Sequence, residues 1–331
     1  MSYQLADNLF AEDVISEPIR AGFGRGLKAA GEANEAIVAL CADLTDSTQM
    51  SKFKEAFPER FVEIGVAEQN LVTVASGMAR AGKIPFTSSY AAFSPGRNWE
   101  QIRTTVALND QPVKIVGSHA GVSVGPDGAT HQMLEDITLM RVLPNMVVIA
   151  PGDSVEAEKA TKAIAENGKP SYIRLAREKT PIFSTNESPF EIGKAYVLRE
   201  GGDISLLGTG TMTYQLLVAA NELAKQGIAA EVVHIPTIKP LDSDTILASV
   251  KKTGRALTAE EAQINGGFGG AIAELLAENL PTPLRRVGMQ DRFGESGSPD
   301  ELLDRFGLTG AKIAETAKEF INATAQYHRE Y

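Results

Sequence analysis

The sequence predicts an α/β fold of two α/β domains, a parallel-sheet domain followed by a smaller one. Short apolar runs alternate with longer amphipathic stretches, the pattern of βα units around a mostly parallel sheet. That pattern occurs twice, on either side of residues 177–189. This stretch holds two prolines and several Ser, Thr and Asn residues, has no helical or strand period, and reads as an interdomain linker. A length of 331 residues suits two domains of ordinary size.

In the first domain, read as residues 1–185, the apolar runs 36–42, 61–65, 84–88, 113–118, 146–150 and 171–175 are the expected strands. Stretches with helical period lie between them at 19–30, 67–81, 99–108 and 155–166. In the second domain, read as 190–331, strands are expected at 204–208, 230–235, 255–258 and 284–288. Helices are expected there at 214–226, 244–251, 270–279 and 311–327. The sequence shows no internal repeat and no low-complexity tract.

Composition narrows the function. Hydrophobic residues make up 43% and charged residues 22%, a globular balance that can fill a core. A net charge of −10 argues against nucleic acid or an anionic membrane as the main partner, yet leaves room for a local basic pocket. The apolar runs are too short to cross a bilayer, and the acidic N-terminus does not read as a leader, so a cytoplasmic protein is expected. The single cysteine, Cys41, cannot pair internally and reads as buried filler. The four histidines are not at zinc spacing, so no metal site built by this chain alone is expected.

Two glycine loops precede helices. Gly208-Thr-Gly210 lacks the third glycine of a dinucleotide loop, with Thr213 in its place, and reads as a plain strand-to-helix turn. Gly266-Gly-Phe-Gly-Gly270 could offer a helix N-terminus to an anion, but lacks the Lys-Ser/Thr of a P-loop. Tight backbone packing is its preferred reading.

The most informative segment runs from Phe61 to Ala75. The helix beginning near Ala67 places Glu68 on one face with Leu71, Val72, Ala75 and Ala79. A carboxylate on that apolar stripe needs a partner, and desolvation favours its neutral form. The plainer alternative is a first-turn Glu complementing the helix dipole from the surface. A second polar concentration, residues 117–132, follows a strong strand and holds His119, Asp127, His131 and four glycines. It is either a ligand loop at the C-terminal end of a strand or an ordinary long surface loop.

At these residues a family becomes recognisable. Gly65-Val-Ala-Glu-Gln-Asn70 resembles the motif of the catalytic glutamate in transketolases and 1-deoxyxylulose-5-phosphate synthases. The 117–132 loop resembles the transketolase substrate loop, and Asp43-Leu-Thr-Asp-Ser47 the family's D-L-T-x-S turn. Ile235-Pro-Thr-Ile-Lys-Pro-Leu-Asp242 and Gly294-Glu-Ser-Gly-Ser-Pro-Asp-Glu-Leu-Leu303 resemble motifs of the C-terminal domain. Ordered motifs at matching spacing are far more specific than any one of them alone.

The resemblance implies the C-terminal subunit of a split transketolase, with a thiamine pyrimidine-binding domain and a transketolase C-terminal domain. Glu68 would contact N1′ of the aminopyrimidine of thiamine diphosphate and share a proton there. Tyr90 and Phe93 would pack on the pyrimidine, and Asp43 would lie in the cofactor-binding turn. His119, Asp127 and His131 would recognise sugar hydroxyls, the two histidines assisting proton transfer; Arg20, Ser47 and Arg177 would bind the phosphate of a sugar phosphate. Gly96 stands where many members carry a third aromatic, and Ala129 where a proline is common. The family's diphosphate and Mg²⁺ motif, G-D-G followed downstream by an Asn, has no counterpart: the nearest string is Pro126-Asp-Gly128. The implied partner is an N-terminal subunit carrying that motif, in an assembly with two copies of each chain. The implied reaction is two-carbon ketol transfer between sugar phosphates, in carbohydrate metabolism of the pentose phosphate kind. The rivals are the beta subunit of the thiamine component of a 2-oxo acid dehydrogenase, a split transketolase for a sulfonated or branched sugar, and a non-catalytic assembly subunit.

Overall fold

The structure is a computed structural model and describes residues 3–11 and 13–330, with side chains through residue 325. The strands of the first half are β1 (Ser16–Pro18), β2 (Ile37–Cys41), β3 (Phe61–Glu63), β4 (Ile84–Tyr90), β5 (Lys114–Ser118), β6 (Val147–Ile149), β7 (Ser171–Arg174) and β8 (Lys179–Pro181). Its helices are α1 (Ile19–Ala33), α2 (Ser51–Ala56), α3 (Glu68–Arg80), α4 (Trp99–Gln101), α5 (Asp136–Arg141) and α6 (Ser154–Glu166). The second half holds β9 (Tyr196–Arg199), β10 (Ile204–Gly208), β11 (Ala230–His234), β12 (Thr237–Lys239), β13 (Ala256–Gln263) and β14 (Leu284–Met289). Its helices are α7 (Met212–Ala224), α8 (Ser243–Thr253), α9 (Phe268–Asn279), α10 (Pro299–Arg305) and α11 (Gly310–Glu330).

The larger sheet has the order β12-β6-β7-β5-β4-β2-β3 and is parallel except for β12. β2 is buried along its whole length, as a continuous apolar run between two helical layers must be. α1 and α6 pack on one face of this sheet over Phe23, Leu27, Ile164 and Phe86. α3 packs against the opposite face through Leu71, Val72, Ala75 and Ala79, the stripe read from the sequence, with Glu68 on it. The smaller sheet has the order β14-β13-β10-β11-β9, with β9 antiparallel to the rest.

Four local expectations change. The stretch 177–189 is not featureless: β8 pairs with β1, and Ser184 is pinned to Asp153 through both its N–H and its hydroxyl. β12, from the second half, joins the first sheet antiparallel to β6, and Lys239 Nζ donates to the carbonyl of Arg141 at 3.0 Å. β13 runs on to Gln263, because Glu260 and Glu261, polar in sequence, are both buried with their oxygens engaged. The expected helix at 99–108 is a short α-turn continued as a π-helix, Ile102–Ala107.

Candidate active site

The C-terminal ends of β2, β3, β4, β5 and β7 open on one edge of the larger sheet, where open parallel sheets place their ligands. Asp43 and Ser47 follow β2, Glu68 follows β3, Tyr90 ends β4, His119 follows β5 and Arg177 follows β7. Arg20 joins them from the first turn of α1.

Glu68 is the first residue of α3 and only 1% exposed. Arg97 Nη1 donates to its Oε2 at 2.7 Å, so the partner demanded by burial is present. Asn98 Nδ2 donates to the Glu68 carbonyl at 2.8 Å. Among the described residues Oε1 has no hydrogen-bond partner. The guanidinium of Arg97 lies 4.8 Å from the Phe93 ring centroid, linking the carboxylate to the aromatic group.

Tyr90 and Phe93 lie with centroids 6.2 Å apart and planes 19° from parallel. The His119 ring stacks on Tyr90 at 3.9 Å, and His131 meets Phe93 edge-on at 5.4 Å. Arg20 Nη1 donates to His119 Nε2 at 3.1 Å. Arginine only donates, so Nε2 accepts, the ring proton sits on Nδ1, and Nδ1–H donates to Ser118 Oγ at 2.8 Å. Burial, then the charges of Arg20 and Arg177, push the His119 pKa down to about 3, so the ring is neutral at physiological pH. Burial and the neighbouring Arg177 also lower the pKa of Arg20. Two like charges close enough to disfavour each other make a site ready for an anion. Arg177 itself donates to the Val124 carbonyl at 2.8 Å.

The other expected residues stand apart. Asp127 is exposed at the tip of its loop. Asp43 is exposed with positive φ, and among the described residues no hydrogen bond joins Asp43 or Ser47 to the arginine–histidine group. Their turn is held by Glu63, which accepts from Asp43 N at 2.7 Å, Thr45 Oγ1 at 3.1 Å and Gly65 N at 3.0 Å. The histidine loop is braced from the second half. Ser123 N donates to Glu261 Oε1, and Gln132 Nε2 to the Glu295 carbonyl at 2.9 Å. The Gly294–Leu303 motif thus backs the loop rather than lining the site. Sequence reasoning missed Glu63, Arg97 and Glu261. A polar residue ending an apolar strand was the available signal for Glu63, and a pair of acids just past an expected strand for Glu261; Arg97 carried none.

Residues 17–182 match the transketolase pyrimidine-binding domain and residues 193–313 the transketolase C-terminal domain. The chain belongs to the transketolase family. It is 46% identical over 308 residues to a protein named as a transketolase C-terminal section in Methanocaldococcus jannaschii, covering 92% of this chain and 96% of that one. It is 44% identical to a 6-deoxy-6-sulfo-D-fructose transketolase subunit of Clostridium sp. strain MSTE9, over 87% of this chain and 89% of that one. Among solved structures it resembles a split gene transketolase described as an inactive beta4 tetramer. The TM-score is 0.86 and the identity 43%, over 92% of this chain and 98% of that one.

The residues of this transketolase-family chain fit the pyrimidine end of thiamine diphosphate. A carboxyl group with one oxygen unengaged can share a proton with a ring nitrogen, and two half-buried aromatic rings beside it offer a flat apolar wall. Among the described residues no three His, Cys, Asp or Glu side chains converge to hold a cation.

Proposed function

We propose that this chain is the C-terminal subunit of a thiamine diphosphate-dependent transketolase, moving a two-carbon ketol unit from a ketose phosphate to an aldose phosphate. The observation that carries the reading is Glu68: a buried carboxylate at the ligand edge of the sheet with one oxygen unengaged. In this reading Glu68 holds the proton shared with the pyrimidine nitrogen, and Tyr90 and Phe93 support the ring. Thiamine diphosphate, when bound, supplies the electron sink for the carbon left when the bond beyond the ketose carbonyl breaks. His119 and His131 hydrogen-bond and exchange protons with the sugar oxygens, Asp127 binds a hydroxyl, and Arg20, Ser47 and Arg177 take the phosphate. Asp43 belongs to the cofactor turn. An N-terminal subunit contributes the diphosphate and Mg²⁺ ligands, in a complex with two copies of each chain working in the cytoplasm.

The test is to assay the chain alone and mixed with the candidate N-terminal subunit, with Mg²⁺ and thiamine diphosphate, and to size both by light scattering. Ketol transfer is expected only in the mixture. Full transfer by the chain alone refutes the split-enzyme reading. Decarboxylation of a 2-oxo acid in place of ketol transfer hands the case to the dehydrogenase rival. A sulfonated donor is the second reading, favoured by the name of the Clostridium relative; the neighbouring arginines would hold a sulfonate as readily as a phosphate. Running ketose phosphate and sulfonated ketose side by side separates the two.

A further inference from the structure

We propose that Arg97 is the positioning residue for Glu68: it engages Oε2, fixes the carboxylate plane, and thereby presents Oε1 alone to the pyrimidine of thiamine diphosphate. The inference rests on the cofactor reading above.

A glutamate on the first turn of a helix has three rotatable side-chain bonds, and an unpaired carboxylate there would sample several orientations. Here the choice is narrowed by two consecutive residues, one gripping the carboxylate and the other the main chain that carries it. Arg97 Nη1 holds the side chain at 2.7 Å, and Asn98 Nδ2 holds the main-chain carbonyl of the same residue at 2.8 Å. Asn98 is fully buried, and its Nδ2 also donates to Ser94 Oγ at 3.1 Å, so the grip is anchored in the segment that carries Phe93. Arg97 N donates to the Phe93 carbonyl at 3.0 Å, and its guanidinium lies over the Phe93 ring. One turn therefore sets the distance between the carboxylate and the aromatic wall. The turn also explains Gly96. A Cβ there would sit 2.2 Å from the Ala92 carbonyl oxygen, so any larger residue would shift the backbone that delivers Arg97.

The exposures of the two partners differ in a way that suits positioning. Glu68 is 1% exposed and the Arg97 side chain 48%. The carboxylate is almost removed from water, whereas the guanidinium is solvated from its outer side and loses less hydration by staying in place. Orienting a reacting group in advance removes that cost from the bound state.

The test uses the assembled enzyme and the isolated chain, comparing Arg97→Ala and Arg97→Lys with the parent. Calorimetry gives the thiamine diphosphate affinity of the assembled enzyme, and steady-state kinetics separate kcat from the donor KM. Arg97→Ala is expected to weaken thiamine diphosphate about tenfold and to lower kcat by at least as much, the scale of one charge-assisted contact, with the donor KM unchanged. Arg97→Lys is expected to recover most of both. In the isolated chain, urea melts of Glu68→Gln, Arg97→Ala and the double variant are expected to be non-additive. Parent-like affinity and kcat in Arg97→Ala, or tighter binding, which would make Arg97 a competitor for Glu68, overturns the inference alone. Additive melts also overturn it. Failure of the parent complex to bind thiamine diphosphate sinks the cofactor reading and this inference with it, while the melts still report whether the pair forms.

Discussion

Glu68 in the first half and Glu260 in the second are both removed from water, at 1% and 0% exposure, and their surroundings could hardly differ more. Glu260 spends both oxygens on the chain itself: Phe268 N donates to Oε2 at 2.7 Å and Gly269 N to Oε1 at 2.8 Å. It caps the N-terminus of α9, so the glycine loop that could have received an external anion is already filled by the chain's own carboxyl group. Gly267 makes this possible, since a Cβ there would come within 2.2 Å of Glu260 Oε2. Glu68 engages one oxygen and leaves the other open at the ligand edge. Burial by itself therefore does not mark a working carboxylate, and neither does a free oxygen, since Asp136 Oδ1 is buried and, among the described residues, unpartnered too; what sets Glu68 apart is an unengaged oxygen at the ligand edge of the sheet. The same contrast separates two arginines three residues apart. Arg174 is buried, pairs with Asp136 at 2.9 Å and donates to the Glu261 carbonyl at 2.7 Å. Arg177, partly exposed, spends Nη1 on one carbonyl and a 3.4 Å contact with Glu178.

The sharpest way to break this comparison is Glu68→Gln in the assembled enzyme. Gln keeps the size but cannot share a proton, so turnover is expected to fall roughly 10²–10⁴-fold. The fold is expected to persist, because the half-exposed Arg97 can turn to water and strands no charge. Near-parent turnover would remove Glu68 from the chemistry.

Next in size is Arg174→Ala, which leaves Asp136 buried and without its cation. A stability loss of about 3–5 kcal/mol is expected in urea melts. An unchanged midpoint would show that the Arg174–Asp136 pair is not structural.

Arg177→Ala is expected to raise the KM for a phosphorylated donor about 10–100-fold with little change in melting, the value of one charge-assisted phosphate contact. The opposite pattern, a lower melting point with KM unchanged, would place Arg177 with Arg174.

The smallest effect concerns Glu260. Burial raises its pKa from 4.5 to about 7, against the pull of its two N–H donors. Between those values the folded chain keeps a proton that the unfolded chain has lost, so this group's contribution to stability falls as pH rises across the window. Glu260→Gln is expected to flatten that part of the stability–pH curve, as read by urea melts at pH 4.5, 6 and 7.5. An unaltered slope would assign the titration to another group.

Periodicity and turn chemistry were enough to place most strands and helices, to start α3 beside Glu68, and to lay Leu71, Val72, Ala75 and Ala79 on its buried face. They succeeded because alternation and the 3.6-residue repeat report burial of a segment against whatever lies beside it. The ordered motifs carried the family. What no local pattern could show is which distant group meets which. Arg97 is 29 residues from Glu68 and reaches it only because β3 and β4 flank β2 in one sheet. The proton on His119 Nδ1 follows from Arg20, 99 residues away, and β12 joins a sheet built from the other half of the chain. β13 outran its expected end because Glu260 and Glu261 find donors on α9, on the 117–132 loop and at Thr211. Sequence decides what a residue can donate, accept or bury; only the packing of strand ends decides whether a partner is there to use it.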